Sequence, residues 1–237
     1  QREQLRANLL RAISHDLRTP LTAISGNAGM LMEKSVSLNE NRKQEMYRSI
    51  YDDSMWLVNL TENLLSITRI ENGTLPLRRD AEMIGDIFHE ALSHVDRRAA
   101  EHEIRVELED DMLMANMDAR LIVQVIINIV NNAVKYTPEG SDICLSAKKE
   151  NSMVRIEIAD NGPGISDEAK QRLFDMFYTV NTGSAGADSR RGLGLGLSLC
   201  KSIVEAHGGS ITVHDNQPHG SVFSFTLPLE EVKIQNV

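Results

Sequence analysis

Cysteine is nearly absent: 237 residues hold only Cys144 and Cys200, far apart and each inside an apolar run. That spacing builds neither a disulfide framework nor a paired zinc site, so reduced, buried thiols are expected. Positive charge is also in short supply, with 25 Lys and Arg against 34 Asp and Glu, a formal net charge of -9 and a pI near 5.3. Such a surface exerts no long-range pull on DNA or on an anionic membrane, so no nucleic-acid partner is expected. No apolar run approaches the roughly 18 residues that cross a bilayer. The opening QREQLRANLL is charged and amphipathic, unlike a secretory signal. A chain that starts without Met and in mid-helix reads as an excised cytosolic piece of something longer, any membrane link lying in a missing N-terminal part.

Against these absences stands a hydrophobic content of 41%, enough for one large core or two small ones. Leu5, Leu9, Ile13, Leu17, Leu21, Ile24, Ala28 and Leu31 recur at spacings of three and four and predict a helix over 3–33. KSVSLNEN, at 34–41, reads as a turn. Ile50, Leu57 and Leu64 then fall seven apart, with Met46, Leu60 and Ile67 on the neighbouring row, which predicts a second helix to Glu71 with a coiled-coil-like seam. A lone hairpin cannot bury both stripes, so two copies are expected to pair as a homodimeric four-helix bundle. ENGTLPLRRD breaks the period with Gly73 and Pro76 and marks a boundary. The expected division is a helical domain over 1–71, a linker over 72–82 and a second domain over 83–237.

The second domain reads as an α+β sandwich, a mixed sheet with helices on one face. Helices are expected at 83–100, 118–136 and about 196–207. Strands are expected at 103–109, 142–150, 153–160, 210–215 and 221–229, with hairpin turns at 151–152 and at NQPHG.

Three pieces of this domain point to a nucleotide. NIVNNAVKYTPEG puts Asn128 and Asn132 one turn apart, with Lys135 and Tyr136 nearby. Three asparagines in five positions are poor helix formers, which argues for a purpose. An amide oxygen is a hard ligand suited to Mg2+, and Lys135 can offset phosphate charge. DNGPGI follows a strand; by itself it is loop chemistry, but Asp160 carries a carboxylate able to accept from an adenine amino group. Gly192, Gly194 and Gly196 remove three side chains where a helix begins, so its amides can approach a phosphate. No Gly-Lys-Ser/Thr follows, so this is not a P-loop, and no strand immediately precedes it as a Rossmann fingerprint requires. Between these pieces, the Gly/Ser/Ala-rich run ending in Arg190 and Arg191 fits a lid with basic residues near a phosphate.

The remaining motif is SHDLRTPL. At about 100° per residue, His15 points roughly 190° from the apolar stripe of its helix, and Thr19 lies about 40° from His15 on the same face. His15 is therefore expected in solvent. Pro20 removes a backbone donor inside the helix, so a bend is expected there.

With these residues in view the chain resembles a sensor histidine kinase along nearly its whole length. SHDLRTPL resembles the H box, NIVNNAVKYTP the N box, DNGPGI the G1 box, FDMF the F box and GLGLGLSLCKSIVEAHGG the G2 box, in the family's order. Among subfamilies the wording is most similar to the KdpD-type kinases, which respond to potassium limitation. The resemblance implies a phosphotransfer bundle followed by a Bergerat (GHKL) ATP-binding domain, with ATP and Mg2+ as cofactors. It implies that His15 takes the γ-phosphoryl group, that Asp16 assists as base or by orienting the imidazole, and that Thr19 positions water for dephosphorylating a response-regulator receiver domain, the expected partner. It implies that Asn128 holds Mg2+, with Asn132, Lys135 and Tyr136 on the phosphate side. Asp160 would read adenine beside Gly162 and Gly164. Gly192, Gly194 and Gly196 would hinge the lid that carries Arg190 and Arg191, and Thr226 would complete the adenine wall. Two other readings compete: a Bergerat-type ATPase or protein-serine kinase that does not act on histidine, and a non-enzymatic dimeric scaffold.

Overall fold

The computed structural model describes residues 2–33, 38–71, 76–179 and 194–230, and within these leaves aside the side chains of 2–16, 59, 67, 70 and 71. Contacts divide the chain into two compact units, 1–65 and 66–237. No helix among the described residues is long and apolar enough to cross a membrane.

The first unit holds a hairpin of two long helices, α1 (Arg2–Met32) and α2 (Glu40–Glu71), of which residues 66–71 are counted with the second unit. Asn39 opens α2 by accepting the Arg42 N–H on its side chain at 2.8 Å, which satisfies one of the free amides of a helix start. Helix α1 continues through Pro20, which is buried and lies on the apolar stripe, whereas Leu21 beside it is 53% exposed. Thr19 is exposed, as its helical phase predicts; the His15 side chain lies outside the described residues. Met46 and Leu60 are buried in the hairpin, while Ile50, Leu57 and Leu64 are only half-buried. A polar link crosses between the helices where Asn27 donates to the Ser49 hydroxyl at 3.1 Å.

The second unit is built on a seven-stranded mixed sheet. Its strands are β1 (Asp80–Met83), β2 (Glu103–Leu108), β3 (Met114–Met117), β4 (Asp142–Glu150), β5 (Met153–Asp160), β6 (Ile211–Asp215) and β7 (Ser221–Glu230). Their order is β1-β3-β7-β5-β4-β2, with β6 also paired to β7, and among the described residues only the β2–β4 pair is parallel. Helices α3 (Ile84–Ser93), α4 (Ala119–Tyr136) and α6 (Gly196–Ala206) pack on one another over one face. That face carries Ile143 and Leu145 of β4 and Val154, Ile156 and Ile158 of β5, all essentially buried. Each such side chain contributes about 1.5–3 kcal/mol by leaving water. Alternate residues of these strands point the other way and are half-buried, as the period of two demands.

Several expectations need correction. The helix foreseen over 83–100 ends at Ser93, and Asp96 then caps a short 3-10 turn, Arg97–Glu101, by accepting the Arg98 N–H. Strands β1 and β3 were not foreseen, nor was helix α5 (Asp167–Arg172), capped by Ser166. Because β1 begins at Asp80, the segment 80–82 belongs to the sheet rather than to a linker. Even Arg78 and Arg79 are anchored to this unit, the first through its N–H to the Asp118 carboxylate and the second through its guanidinium to the Ala206 carbonyl. Residues 72–75 of the expected linker lie outside the described residues.

Candidate nucleotide site

The site is assembled where α4, the turn after β5 and the start of α6 meet. Helix α4 buries Leu121, Ile122, Val125, Ile126, Ile129 and Val130 against the sheet and its neighbours. Asn128 therefore lies to the side of that stripe, and α4–α6 packing brings it against the first turn of α6: a Cβ on Gly196 would lie 3.9 Å from the Asn128 carboxamide carbon. The buried Asn128 Nδ2 has no hydrogen-bond partner among the described residues. The unpartnered group is a donor, so it suits an acceptor such as a phosphate oxygen, whereas a metal would take the amide oxygen instead. Cys200 lies close to the same amide, but burial dominates and pushes its thiol up to about 12.

At the start of α6 no side chain caps the helix at Leu195. The first amides of such a helix have no intrahelical partner and suit an anion. Just before it, Gly194 adopts φ +66°, and a Cβ there would collide with the backbone at Phe177 and Tyr178. The Phe177 N–H donates to the Gly194 carbonyl at 3.1 Å, which joins the turn after Phe174 directly to the start of α6. Phe174 packs edge-on against Phe223 at 6.5 Å. Arg190, Arg191 and Gly192 lie outside the described residues.

Asp160 ends β5 and is 7% exposed. Its Oδ1 accepts two backbone N–H groups, from Gly162 at 2.9 Å and from Ser221 at 3.2 Å. Burial pushes this carboxyl above its ordinary 3.8, while the two N–H donors oppose the shift. A side chain at Gly162 would force its neighbours to shift, since a Cβ would sit 2.6 Å from Thr137 Cγ2 and 2.9 Å from Asp160 Oδ1. Gly164 takes φ +77°, a conformation that glycine adopts freely. Asn161 is tied to β4: its Oδ1 accepts the Asp142 N–H at 3.0 Å and its Nδ2 donates to the Asp142 carboxylate at 3.1 Å.

An open cavity of about 700 Å³ lies between the end of α4 and this turn, lined by residues 135–141 and 161–163 and by His219. Its volume suits a nucleotide-sized ligand. It takes in Lys135, Tyr136 and Gly162 of the expected site, with the Lys135 ammonium 4.9 Å from the Tyr136 ring centre. Asn128, Asn132, Asp160, Gly164, Gly194 and Gly196 are not among its walls.

Thr226 belongs elsewhere. It pairs with Arg155 in the sheet, and its hydroxyl accepts the Ser210 N–H at 3.0 Å. The β7 residue opposite Asp160 is Ser221, five positions earlier and so about 17 Å along the strand. Thr226 therefore cannot complete a wall at Asp160; Ser221 is the residue there. Sequence reasoning also missed Gly220, whose Cβ would overlap the Asp160 carbonyl, and Asn216, whose Nδ2 donates to that carbonyl at 2.8 Å. The only signal for them was the NQPHG turn.

Comparison with known proteins gives two family matches. Residues 5–73 match the family described as His Kinase A (phospho-acceptor) domain. Residues 117–231 match the family described as histidine kinase-, DNA gyrase B-, and HSP90-like ATPase. Over 230 residues the chain is 44% identical to Sensor protein KdpD of Clostridium acetobutylicum, covering 97% of this chain and 25% of that protein. It belongs to the sensor histidine kinases. A second KdpD sensor protein, from Escherichia coli, is 33% identical over 96% of the chain and 25% of its own length. This histidine kinase chain thus spans about a quarter of the length of these relatives. Among solved structures it resembles the Acinetobacter baumannii histidine kinase AdeS, with TM-score 0.72 and 25% identity over 92% of this chain and 98% of that one. It also resembles the histidine kinase ThkA, solved in complex with the response regulator protein TrrA, with TM-score 0.71 and 25% identity over 97% and 64% of the two chains.

Proposed function

We propose that this chain is the catalytic core of a sensor histidine kinase, which phosphorylates itself on His15 with ATP and passes the group to an aspartate of a response regulator. The observation that carries the reading is the orphaned Asn128 amide facing the uncapped start of α6, on a chain whose first helix holds SHDLRTPL. In the first step an imidazole nitrogen of His15 forms a bond to the γ-phosphorus while the bond to the β,γ-bridging oxygen breaks and ADP leaves. Phosphoryl transfer asks the protein chiefly for positioning and charge neutralisation.

In this reading Asp16 orients or deprotonates the imidazole. Asn132, Lys135, Arg190 and Arg191 offset phosphate charge, and Tyr136 flanks the phosphates. The amides at Gly194 and Gly196 receive phosphate, Gly192 hinges the lid, and Asp160 meets the adenine amino group beside Gly162 and Gly164. Asn128 is the amide suited to Mg2+; no group of three His, Cys, Asp or Glu side chains among the described residues could hold a metal by itself. Bound there, Mg2+ would neutralise charge on the phosphates. Thr19 would position water for a phosphatase activity toward the regulator.

Leu21, Met30, Tyr47, Tyr51, Met55, Val58 and Leu65 remain exposed on the hairpin, apolar area that a second copy of the chain would cover. The receiver-domain partner is supported by the ThkA relative solved with its regulator. Likeness to the KdpD proteins supports a potassium-linked pathway and a place on the cytoplasmic side of a membrane sensor. A domain boundary before Arg78 fits the anchoring of Arg78 and Arg79, and puts any pivot between the domains within 72–77.

The test is incubation with γ-labelled ATP and Mg2+, comparing wild type with His15→Gln. Label that is lost in acid, kept in alkali and absent from the variant is expected. Acid-stable label, or label retained by His15→Gln, would transfer the reading to the ATPase or serine-kinase alternative.

A further inference from the structure

The β6–β7 loop holds the base-reading turn from behind. Asn216, half-buried just after β6, commits its backbone N–H and both ends of its side-chain amide. Its Nδ2 donates to the Asp160 carbonyl at 2.8 Å, its backbone N–H donates to the Gly220 carbonyl at 3.0 Å, and its Oδ1 accepts the Gln217 N–H at 2.9 Å. The loop it closes delivers the Ser221 N–H to Asp160 Oδ1. Gly220, at φ +115°, lets the returning chain lie against the same carbonyl that Asn216 holds. On the opposite side Asn161 is pinned to Asp142 by two side-chain bonds.

Asp160 is therefore clamped through its own peptide group and through one carboxylate oxygen. Nothing among the described residues donates to Oδ2, which this clamp leaves as the acceptor for a ligand. An acceptor held at one fixed orientation discriminates well between a substrate that offers an N–H and one that does not, because its alternatives are frozen out. We propose that Asn216 is a positioning residue for base recognition: it holds the Asp160 peptide so that the carboxylate meets the 6-amino group of the purine. This rests on the reading of Asp160 as the adenine contact. Loss of the Asn216 donor frees the Asp160 carbonyl and loosens the loop that carries the Ser221 N–H, so the carboxylate turns away from its bonded orientation.

The experiment uses the purified chain and two nucleotides, Mg-ATP and the Mg complex of purine riboside triphosphate, which has hydrogen in place of the 6-amino group. Asn216→Asp keeps the size and the Gln217 bond but cannot donate; Asn216→Ala removes the donor without adding charge. Both variants should bind ATP about tenfold more weakly, the cost of about one hydrogen bond, while binding of the 6-hydrogen analogue changes less than twofold. Asn216→Gln, which restores a donor, should recover part of the discrimination. A merely structural role would weaken both nucleotides together, and that result, or no change in either, overturns the proposal. Asp160→Asn serves as the control. If it leaves the ATP-to-analogue ratio at the wild-type value, the reading of Asp160 itself fails; if it collapses the ratio while the Asn216 variants do not, only the role of Asn216 fails.

Discussion

The imidazole of His207 accepts the backbone N–H of Asp118 at 3.0 Å, fastening the end of α6 to the start of α4. Its other nitrogen donates to the Ile203 carbonyl at 2.7 Å, so the neutral ring with hydrogen on Nδ1 satisfies both contacts. His207 has no exposed surface, and burial, which penalises the imidazolium, pulls its pKa below 6.5. Protonating Nε2 would put a donor against the Asp118 donor.

The stability of the ATP-binding domain should therefore depend on pH with a definite sign. A histidine whose folded pKa is depressed makes its full contribution above about pH 6.5, and loses it as pH falls and the unfolded chain takes the proton first. Urea unfolding midpoints should fall between pH 7.5 and pH 5.5. His207→Ala, which leaves the Asp118 N–H unpaired beside a cavity, should cost about 2–4 kcal/mol at pH 7.5 and flatten that pH dependence. An unchanged slope in the variant would assign the acid sensitivity to other groups.

Asp160 predicts the opposite sign. Burial raises its folded pKa above 3.8, so its contribution is full below that value and is lost as pH rises through the raised one. At neutral pH the buried carboxylate is a local cost, which makes sense if it is kept for recognition rather than for folding. Asp160→Asn should be at least as stable as wild type at pH 7, since the carboxamide oxygen can still accept from Gly162 and Ser221. It should nevertheless bind ATP at least tenfold more weakly. Denaturation and nucleotide titration on the same preparation check both halves, and a variant that is both less stable and equally tight would refute them.

The split between what the sequence revealed and what it concealed follows from periodicity. Helices α1, α2, α4 and α6 and strands β4 and β5 carry long, clean periods, and β4 and β5 were bounded to the residue. Strands β1 and β3 have four residues each, too short to show a period, and their pairing partners lie far away in the chain. Asn128, Lys135, Asp160 and Gly162 stood out because amides, glycines and an acid are unusual where they occur. Thr226 was misplaced because strand register, not residue type, decides which β7 residue faces Asp160. Asn216 and Gly220 sat in a segment whose turn chemistry already explained itself, so nothing flagged their second task.

Gly162 offers the sharpest steric test of the site. A methyl group there would press on Thr137 Cγ2 at 2.6 Å and on Asp160 Oδ1 at 2.9 Å, both tighter than side-chain contacts allow. Neither neighbour yields easily. The Thr137 hydroxyl is bonded to the Ala133 carbonyl at 2.8 Å and faces His102 Nε2 at 3.0 Å, and Asp160 Oδ1 holds two N–H donors. Gly162→Ala should therefore displace the carboxylate and reduce ATP affinity by more than tenfold, with a stability loss of about 1–3 kcal/mol from overpacking. Thr137→Ser removes the Cγ2 methyl and keeps the hydroxyl with its two partners. In the double variant the tighter clash is gone, so part of both losses should be recovered, whereas Thr137→Ser alone should change ATP affinity little. Titration calorimetry on the three variants reads this coupling directly. Strictly additive effects would mean that the Gly162 methyl acts on Asp160 alone, and not through the wall that Thr137 builds.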